Sequence, residues 1–376
     1  MATRSVAFED SRWRGFLPLA HTRPLAYLRV GAATTRQQLE LLTGQQVGVW
    51  CRPEVAAATE LDPGESADLY LARGWWRRLP AERPRPWLGI ADGQIALVAA
   101  DAALASRLSP ETLLDSALPG ELLEGVPRHD IDECVSLVEW WWQLLDVNAA
   151  ALAALEPGLH VDPSADIRDG AVLDTTDGAI HVGAGVIVHG SASLQGPCAI
   201  GPGCVILPQA SVRAGSSIGP TCKVGGEVEE SVLHGFSNKQ HHGYLGHSVV
   251  GSWANLGAGT TTSDLKSTYG TISTASPGNP GELVDTGRQF LGAVIGDHAK
   301  TAIDTGISAG TTVGVCSALF TRTCPRTVGS FAWVTEEGVS PYEVDRAIEV
   351  ARRVMARRDR ILDAREERCL RAIAAM

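Results

Sequence analysis

A short polar stretch in the second half of the chain carries the residues best suited to acid–base chemistry. It reads Ser237-Asn-Lys-Gln-His241-His-Gly-Tyr-Leu-Gly-His247 and is followed by Asn255-Leu-Gly-Ala-Gly259. An imidazole with a pKa near neutrality accepts a proton from a hydroxyl or amine nucleophile, so a catalytic histidine is one interpretation. Structural histidines and a metal site are the others. The sequence disfavours a metal, because nothing in the spacing of His241, His242 and His247 makes them converge and no carboxylate lies among them.

The secondary structure that holds this stretch is predicted from a repeating pattern, in which an aliphatic residue occurs at every sixth position. The register contains Val182, Val188, Leu194, Ile200, Ile206, Val212, Ile218 and Val224, and it resumes at Ile295, Thr301, Ile307, Val313 and Leu319. An α-helix repeats every 3.6 residues and a strand every two, so neither explains a period of six. A parallel β-helix does, because each hexapeptide supplies a short strand and a turn with its aliphatic side chain inside. Since the coils are largely scaffold, function is expected in loops and between subunits.

Three domains are predicted along the 376 residues: 1–158, an α/β layer domain; 159–330, the β-helix; and 331–376, a C-terminal helix. The first domain mixes strand-like runs at 87–90 and 95–100 with helical patterns at 101–108 and 135–155. In the β-helix the pattern is disturbed between Gly225 and Val294, although Val250 and Leu256 indicate one more coil.

Two local patterns outside the regular coils predict specific structures. Thr274-Ala-Ser-Pro-Gly-Asn-Pro-Gly281 is rich in turn residues and predicts a surface loop, with a lid as the alternative. Ser340-Pro341-Tyr342-Glu343 predicts a helix from 341, with Ser340 as N-cap and Glu343 at the third position.

Composition narrows the classes of function. The formal net charge of -11 argues against general nucleic-acid binding, which requires clustered Lys and Arg. No stretch approaches 18 uninterrupted apolar residues and no N-terminal signal pattern is present, so no membrane partner is expected. The eight cysteines include no C-x-x-C pair. These features favour a reduced cytoplasmic protein.

The polar stretch resembles the acetyltransferase domain of the bifunctional N-acetylglucosamine-1-phosphate uridyltransferase/glucosamine-1-phosphate acetyltransferase family. That family has a left-handed β-helix and the pattern H-x-[ST]-Y-L-G-x-x-x-I-G-x-x-x-N-I-G-A-G-T. Here the stretch reads His241-His-Gly-Tyr244-Leu-Gly-His-Ser-Val-Val-Gly-Ser-Trp-Ala-Asn255-Leu-Gly-Ala-Gly-Thr260, without gaps. The resemblance implies that His241 is the general base, that Tyr244 and Asn255 contact the sugar, and that Ala258 and Gly259 lie near acetyl-CoA.

The resemblance extends to a phosphate site, with departures. Arg213-Ala-Gly215 is similar to the family's Arg-Pro-Gly, whose arginine holds the sugar phosphate. The family's lysine pair is replaced by Glu229-Glu230, and a second asparagine is replaced by Asp264. Added carboxylates weaken a phosphate site, so the acceptor need not be a sugar phosphate. Lys239 or Lys266 are the cations expected to compensate, and Lys239 and Asp264 are therefore candidate substrate-binding residues.

The N-terminal region resembles sugar-1-phosphate nucleotidyltransferases more faintly. Leu17-Pro-Leu-Ala-His-Thr-Arg-Pro24 is similar to their L-x-P-L-T-x-T-R-P-K-P element, which implies that Arg23 lies near nucleotide phosphates. The glycine-rich G-x-G-T-R loop is absent and Leu25 replaces the usual lysine, so both the backbone cradle and a cation are missing. Mg²⁺ is expected only if nucleotidyl transfer is retained. As a whole, 6–360 resembles a shortened, divergent member of the bifunctional family.

The preferred hypothesis is a CoA-dependent N-acyltransferase that uses acetyl-CoA or another acyl-CoA and an amino sugar or sugar-phosphate-like acceptor. One alternative is a sugar-1-phosphate nucleotidyltransferase, and a second is a non-catalytic sugar-binding trimer. The resemblance implies a homotrimer with active sites shared between neighbouring subunits, which would place the polar stretch at a subunit boundary.

Overall fold

The computed structural model describes residues 4–56, 67–114, 122–277 and 279–376. The chain forms two compact units. The first unit comprises Met1–Phe16, Thr22–Leu28 and Ala33–Trp140, and the second comprises Leu17–His21, Arg29–Ala32 and Trp141–Met376. The predicted domain boundaries at 158 and 330 stay predictions.

A six-stranded sheet forms the centre of the first unit. Its strands lie in the order Val47–Trp50, Ser5–Phe8, Leu69–Leu71, Gln94–Ala99, Trp87–Ala91 and Arg128–Asp130. The first three strands are parallel, whereas Gln94–Ala99 is antiparallel to both of its neighbours. Asp92 and Gly93 join the strands of one hairpin with positive φ values of 49° and 70°, as a two-residue hairpin turn requires. The α/β prediction is therefore confirmed, as are the predicted strands at 87–90 and 95–100.

The remaining elements before the β-helix are short. Two further strands, Trp75–Trp76 and Val135–Ser136, pair antiparallel, and Arg29–Val30 and Ala33–Thr34 are also extended. The helices are α1 Thr35–Thr43, α2 Pro53–Ala56, α3 Ala102–Ala105, α4 Pro110–Leu114 and α5 Gln143–Ala153. The helices predicted at 101–108 and 135–155 are both too long. The Asp101 side chain caps α3 by accepting from the N–H of Leu104, and the start of the second range is a strand.

The second unit is a parallel β-helix of about 10 turns. Face 1 contains Leu159–Val161, Ile180–Val182, Cys198–Ile200, Ser216–Ile218, Val232–Leu233, Val249–Val250, Val294–Ile295, Thr312–Val313 and Thr327–Val328. Face 2 contains Asp166–Ile167, Ile187–Val188, Val205–Ile206, Lys223–Val224, Asn238–Lys239, Lys300–Thr301, Ala318–Phe320 and Ala332–Thr335. Face 3 contains Val172–Asp174, Ser193–Gln195, Ser211–Val212, Glu227–Glu229, Tyr244–Gly246, Thr261–Thr262 and Gly306–Ile307.

The six-residue register forms the buried interior of these coils. Every position of the predicted register is buried, so the β-helix prediction is confirmed. The interior also continues through the stretch where the sequence pattern is disturbed, at Val228, Leu233, Lys239, Leu245, Val250, Leu256 and Thr262. The step from Val224 to Val228 is four residues long, and two later steps are five residues long. These short steps and the lysine at one interior position together hide the period in the sequence.

The chain leaves the coils between Thr262 and Val294. Most of the predicted surface loop at 274–281 belongs instead to two antiparallel strands, Ile272–Ser276 and Asn279–Arg288, while Gly278 lies outside the described residues. These strands pair with each other rather than with a coil, so they do not follow the hexapeptide pattern.

Two helices end the chain, α6 Val344–Ala356 and α7 Ala364–Ala374. The predicted start at 341 is wrong, because Gly338–Pro341 is a strand that pairs antiparallel with Ala332–Thr335. The N-cap of α6 is Glu343, whose carboxylate accepts hydrogen bonds from the N–H groups of Asp345 and Arg346 at 3.1 and 2.8 Å. The helix therefore starts three residues later than predicted, because the local sequence does not indicate that Gly338–Pro341 pairs as a strand.

Candidate active site

A ladder of four outward-facing side chains runs across successive coils of face 2. Lys223 is in parallel register with Asn238, Asn238 with Asn255, and Asn255 with Lys300. Each of these residues precedes an interior residue, and neighbouring side chains on a strand point to opposite faces. The ladder therefore carries polar groups on the outside of the coils.

This ladder forms part of a pocket of about 640 Å³. The pocket is lined by Lys223, Phe236, Asn238, Gln240, His241, Trp253, Asn255, Leu256, Gly257, Ala258, Lys300, Ile303, Val354, Arg357 and Arg358. Val354 lies on α6 and the two arginines follow that helix directly. The rings of Phe236 and Trp253 stack at 4.2 Å with an interplanar angle of 10°. The pocket thus combines an aromatic corner, a polar ladder and the exposed imidazole of His241.

A tight turn next to the ladder places backbone groups beside His241. The N–H of Gly257 donates to Thr301 Oγ1 at 2.9 Å, and the N–H of Gly259 donates to the carbonyl of His242 at 3.1 Å. The N–H of Ala258, between them, makes no hydrogen bond with any residue that the structure describes. Gly259 has φ of 74°, and a Cβ there would collide with the Asp304 carboxylate. This backbone conformation therefore requires glycine.

A chain of hydrogen bonds links the segment after α6 to the ladder. Arg358 Nη1 donates to the carbonyl of Thr221 at 3.2 Å, and Arg358 Nη2 donates to Asn238 Oδ1 at 2.9 Å. Asn238 Nδ2 in turn donates to Asn255 Oδ1 at 3.2 Å. The orientation of the Asn255 amide therefore depends on Arg358, which no pattern in the sequence connects with it.

Lys239 lies inside the coil rather than in the pocket, and the residue is 1% exposed. Its Nζ donates to the carbonyls of Gly225 and His241 at 3.1 and 2.6 Å. Burial of the ammonium lowers the pKa of Lys239 to about 8. The second of these bonds fixes the backbone of His241 from the inside of the coil.

A second polar cluster lies on face 3, and we call it the carboxylate network. Arg213 Nη1 contacts the carboxylates of Glu227 and Glu229 at 3.0 and 2.7 Å. The Tyr244 hydroxyl hydrogen-bonds to Glu229 Oε2 and Asp264 Oδ2 at 2.8 and 2.7 Å. Burial and these two carboxylates strongly raise the pKa of Tyr244, so the phenol is protonated and donates.

His247 completes the carboxylate network. Its Nδ1 lies 2.7 Å from Asp264 Oδ2 and its Nε2 lies 3.2 Å from Glu230 Oε2. Burial by itself would lower the pKa of His247, but the hydrogen bonds to the two carboxylates raise it to about 9. His247 is therefore an imidazolium at neutral pH and is a poor proton acceptor.

The predicted site residues thus fall into separate groups. His241, Asn255 and Ala258 line one pocket, whereas Arg213, Tyr244 and Asp264 belong to the carboxylate network and are not among the described lining residues of that pocket. Sequence reasoning did not single out any of the four cations that line the pocket, and two of them show why. The register places Lys223 directly before the interior residue Val224, which marks it as outward-facing, while Arg358 left no local signal.

The first unit places two carboxylates after strand Ser5–Phe8. Glu9 forms a buried ion pair with Arg52 at 3.0 Å, and Asp10 pairs with Arg73. Burial raises the pKa of Glu9. In open α/β sheets ligands bind at the carboxyl ends of the strands, so these ion pairs lie where nucleotide phosphates would be expected. Arg23, the residue the resemblance assigned to phosphates, is also buried, at 9% exposure.

The described ranges contain neither a cluster of metal donors nor a membrane-spanning helix. No three His, Cys, Asp or Glu side chains in 4–56, 67–114, 122–277 and 279–376 are grouped so that they could hold a metal ion. No helix in those ranges combines the length and the apolar character needed to cross a bilayer. The expectations about metals and membranes that were made from the sequence stay predictions.

Comparison with known proteins supports the predicted resemblance. Residues 5–156 match the family model described as sugar nucleotidyl transferase. A bifunctional sugar-1-phosphate nucleotidylyltransferase/acetyltransferase from Sulfurisphaera tokodaii is 33% identical over 94 residues, which cover 25% of this chain and 23% of that relative. The resemblance to the bifunctional family is confirmed by these matches. The match spans less than a quarter of the length of that curated relative.

Two solved structures illustrate the structural similarity. The UDP-N-acetylglucosamine acyltransferase of Francisella novicida aligns over 54% of this chain and 72% of its own, with 13% identity and a TM-score of 0.30. The acetyltransferase domain of PglB from Neisseria gonorrhoeae FA1090 aligns over 90% of this chain and 99% of its own, with 12% identity and a TM-score of 0.23. These TM-scores are too low for either alignment to bear on the site.

Proposed function

We propose that the protein is a CoA-dependent N-acyltransferase acting on an amino sugar or a sugar-phosphate-like acceptor. The supporting observation is that His241, Asn255 and Ala258, which the resemblance assigns to base, acceptor and acyl donor, line a single pocket. In this proposal acetyl-CoA or another acyl-CoA is the donor. The pocket's polar ladder and its aromatic corner provide separate surfaces for two substrates.

The reaction proposed for this pocket transfers an acyl group from sulfur to nitrogen. The acceptor amine attacks the thioester carbonyl carbon, and His241 takes the proton that the nitrogen loses. The tetrahedral intermediate then collapses with cleavage of the carbon–sulfur bond. The CoA thiolate leaves and takes up the proton from the His241 imidazolium, so the products are an amide and free CoA thiol.

Backbone and side-chain groups would assist this step. In this tight turn the N–H groups of Gly257 and Gly259 already have acceptors. The N–H of Ala258 between them has no acceptor among the described residues and is therefore available to the substrate. A preorganised N–H directed at the developing oxyanion stabilises the transition state. Asn255, oriented through Asn238, would hold the acceptor hydroxyl groups.

The carboxylate network bears on the identity of the acceptor. Arg213 already has Glu227 and Glu229 as partners, and Tyr244 donates to Glu229 or Asp264. A sugar phosphate at Arg213 would have to displace a carboxylate. This favours an acceptor that does not place a phosphate on face 3.

A homotrimer with sites between neighbouring subunits is also part of this proposal and rests on the resemblance. Light scattering coupled to size-exclusion chromatography tests it, since a mass of about three chains is expected. The mass of a single chain is 39.7 kDa, and a particle of that mass would contradict the trimer.

Free-thiol release from acetyl-CoA across a panel of amino sugars and their 1-phosphates tests the function directly. Release with one acceptor, lost in His241→Ala, is the expected result and would also identify the acceptor. Absence of release with every acceptor, under conditions where the protein is folded, would contradict the acyltransferase proposal.

Sugar-1-phosphate nucleotidyl transfer in the first unit is the second candidate, favoured by the family match over residues 5–156. It ranks below acyl transfer because Glu9 and Asp10 are paired with arginines at the expected phosphate site. The assay is pyrophosphate release from UTP or dTTP with Mg²⁺ and a sugar 1-phosphate. Turnover there that survives His241→Ala would assign the activity to the first unit.

A further inference from the structure

The pocket around His241 concentrates positive charge. Lys223, Lys300, Arg357 and Arg358 line it, and no Asp or Glu is among its described lining residues. The whole chain carries a formal net charge of -11, so the lining of the pocket is opposite in sign to the chain as a whole. A concave site with one sign of charge raises the local concentration of ligands of the opposite sign.

The four cations differ in whether their side chains already have partners in the protein. Arg358 is held by Thr221 and Asn238, and Lys300 Nζ donates to the carbonyl of His298 at 2.8 Å. The side chains of Lys223 and Arg357, in contrast, make no hydrogen bond or ion pair with any residue that the structure describes. These two cations are therefore available to a ligand.

Arg213, the arginine that the resemblance assigns to a sugar phosphate, is not available to a ligand in this way. Arg213 is neutralised by Glu227 and Glu229 at 3.0 and 2.7 Å. Moving a phosphate to Arg213 would bring it next to two carboxylates, whereas Lys223 and Arg357 offer charge without a nearby competitor in the pocket lining. Charge-assisted hydrogen bonds to ammonium and guanidinium groups are the usual means of binding phosphate.

The ladder geometry sets the size of the ligand that fits. Lys223 and Lys300 are three rungs apart, which corresponds to about 14 Å at the usual spacing between neighbouring strands. Asn238 and Asn255 lie between them and offer neutral donors and acceptors. A small inorganic anion would therefore occupy one end, and an extended ligand would occupy the ladder along its length.

We propose that the His241 pocket binds a phosphate-bearing ligand and that Lys223 and Arg357 bind its phosphate. The proposal rests on the proposed function only in taking this pocket as the substrate site. The phosphate has two possible sources, the nucleotide part of an acyl donor and a phosphorylated acceptor, and both share the chemistry that these cations recognise.

Calorimetric titration of the full chain with inorganic pyrophosphate tests the binding site. Lys223→Gln and Arg357→Gln are each expected to weaken binding about tenfold, because each removes a charge-assisted hydrogen bond. Lys223 is half-buried on the outside of its coil and Arg357 is exposed, so the fold should be retained. Arg353→Gln is the matched control, since Arg353 lies on α6 and pairs with Glu349. No pyrophosphate binding by the parent, or equal affinity in all variants, would overturn the proposal.

Steady-state kinetics of the same variants distinguish the sources. A rise in KM for acetyl-CoA assigns the phosphate to the donor, whereas a rise confined to a phosphorylated acceptor assigns it to the acceptor. If the parent protein shows no thioester turnover but the variants lose pyrophosphate binding, the phosphate site is supported and acyl transfer is rejected. His241-dependent turnover with unchanged pyrophosphate affinity and unchanged KM values would reject this site and retain acyl transfer.

Discussion

Arg358 and Asn238 are 120 residues apart in the chain and are joined by a hydrogen bond of 2.9 Å from the guanidinium to the amide oxygen. The Asn238 amide nitrogen donates in turn to Asn255 Oδ1. Asn amides have two similar ends, and a donor at one of them fixes which end faces the next residue. The segment after α6 therefore sets the orientation of a candidate acceptor-binding amide on the β-helix.

Replacing Arg358 should reduce acceptor binding more than turnover. Arg358→Ala is expected to raise the acceptor KM about tenfold, because a charged donor to Asn238 is lost and the amide of Asn255 is no longer oriented. Arg358→Lys should recover part of this effect. Separate kcat and KM values for the two variants make the test, with Arg353→Ala as the control. A fall in kcat alone would contradict the positioning role.

Replacing His241 should slow acyl transfer strongly without affecting the fold. His241→Ala is expected to lower kcat by about 10²- to 10⁴-fold, the range typical of a lost general base. His242→Ala is a matched control, because this neighbouring imidazole is also exposed but is not among the described lining residues of the pocket. Thiol release by both variants gives the comparison. Unchanged turnover in His241→Ala would reject the general-base assignment.

The buried column should not tolerate a charge. Ile206 is fully buried, so Ile206→Asp is expected to lower the free energy of unfolding by more than about 4 kcal/mol and to unfold the coils. Val205, the preceding residue, is half-buried on the outside of the same strand, and Val205→Asp should cost about 1 kcal/mol or less. Denaturant melts of both variants measure the difference. Equal stability would mean that the register is wrong.

The carboxylate network predicts a pH dependence of stability. The pKa of His247 is raised to about 9, so its charge interactions contribute fully below pH 6.5 and are lost as the pH rises through 9. The free energy of unfolding should therefore fall across that window, by at most about 1.4 kcal/mol per pH unit. In His247→Gln this fall should be smaller. Denaturant melts of both proteins at pH 6, 7.5 and 9 measure it, and identical pH profiles would contradict the charged state of His247.

For the buried Lys239 we expect the free energy of unfolding to change with pH in the opposite direction. Burial lowers its pKa to about 8 from an ordinary value of 10.5, so the unfolded chain binds more protons between these values and the free energy of unfolding should rise with pH there. Lys239→Met should lose this rise. It should also lower kcat about tenfold or more, because the carbonyl of His241 loses its donor and the imidazole is less well placed. Full activity of a folded Lys239→Met protein would show that this anchor is dispensable.

Regular packing was predictable from the sequence, and irregular packing was not. The register from Val182 to Val224 predicted the coils because each position repeats the same environment. The same reasoning failed at Lys239, an interior position with a charged residue, since an ammonium is expected outside unless backbone carbonyls are available to it. Those carbonyls, of Gly225 and His241, come from the turns of two coils and cannot be identified from hydropathy.

Hydrophobic periodicity is a local property of the chain, so an α/β region followed by a parallel β-helix could be predicted without the structure. The sequence also showed that the polar stretch with His241 lies where the six-residue pattern is disturbed. Which polar groups share a pocket became known only from the folded chain. His241 and Asn255 meet Arg358 because stacking brings distant residues into register, while Tyr244 is held by Glu229 and Asp264 on face 3. Hydrogen bonds and ion pairs depend on distances of a few ångströms between side chains, and the order of residues along a chain does not specify those distances.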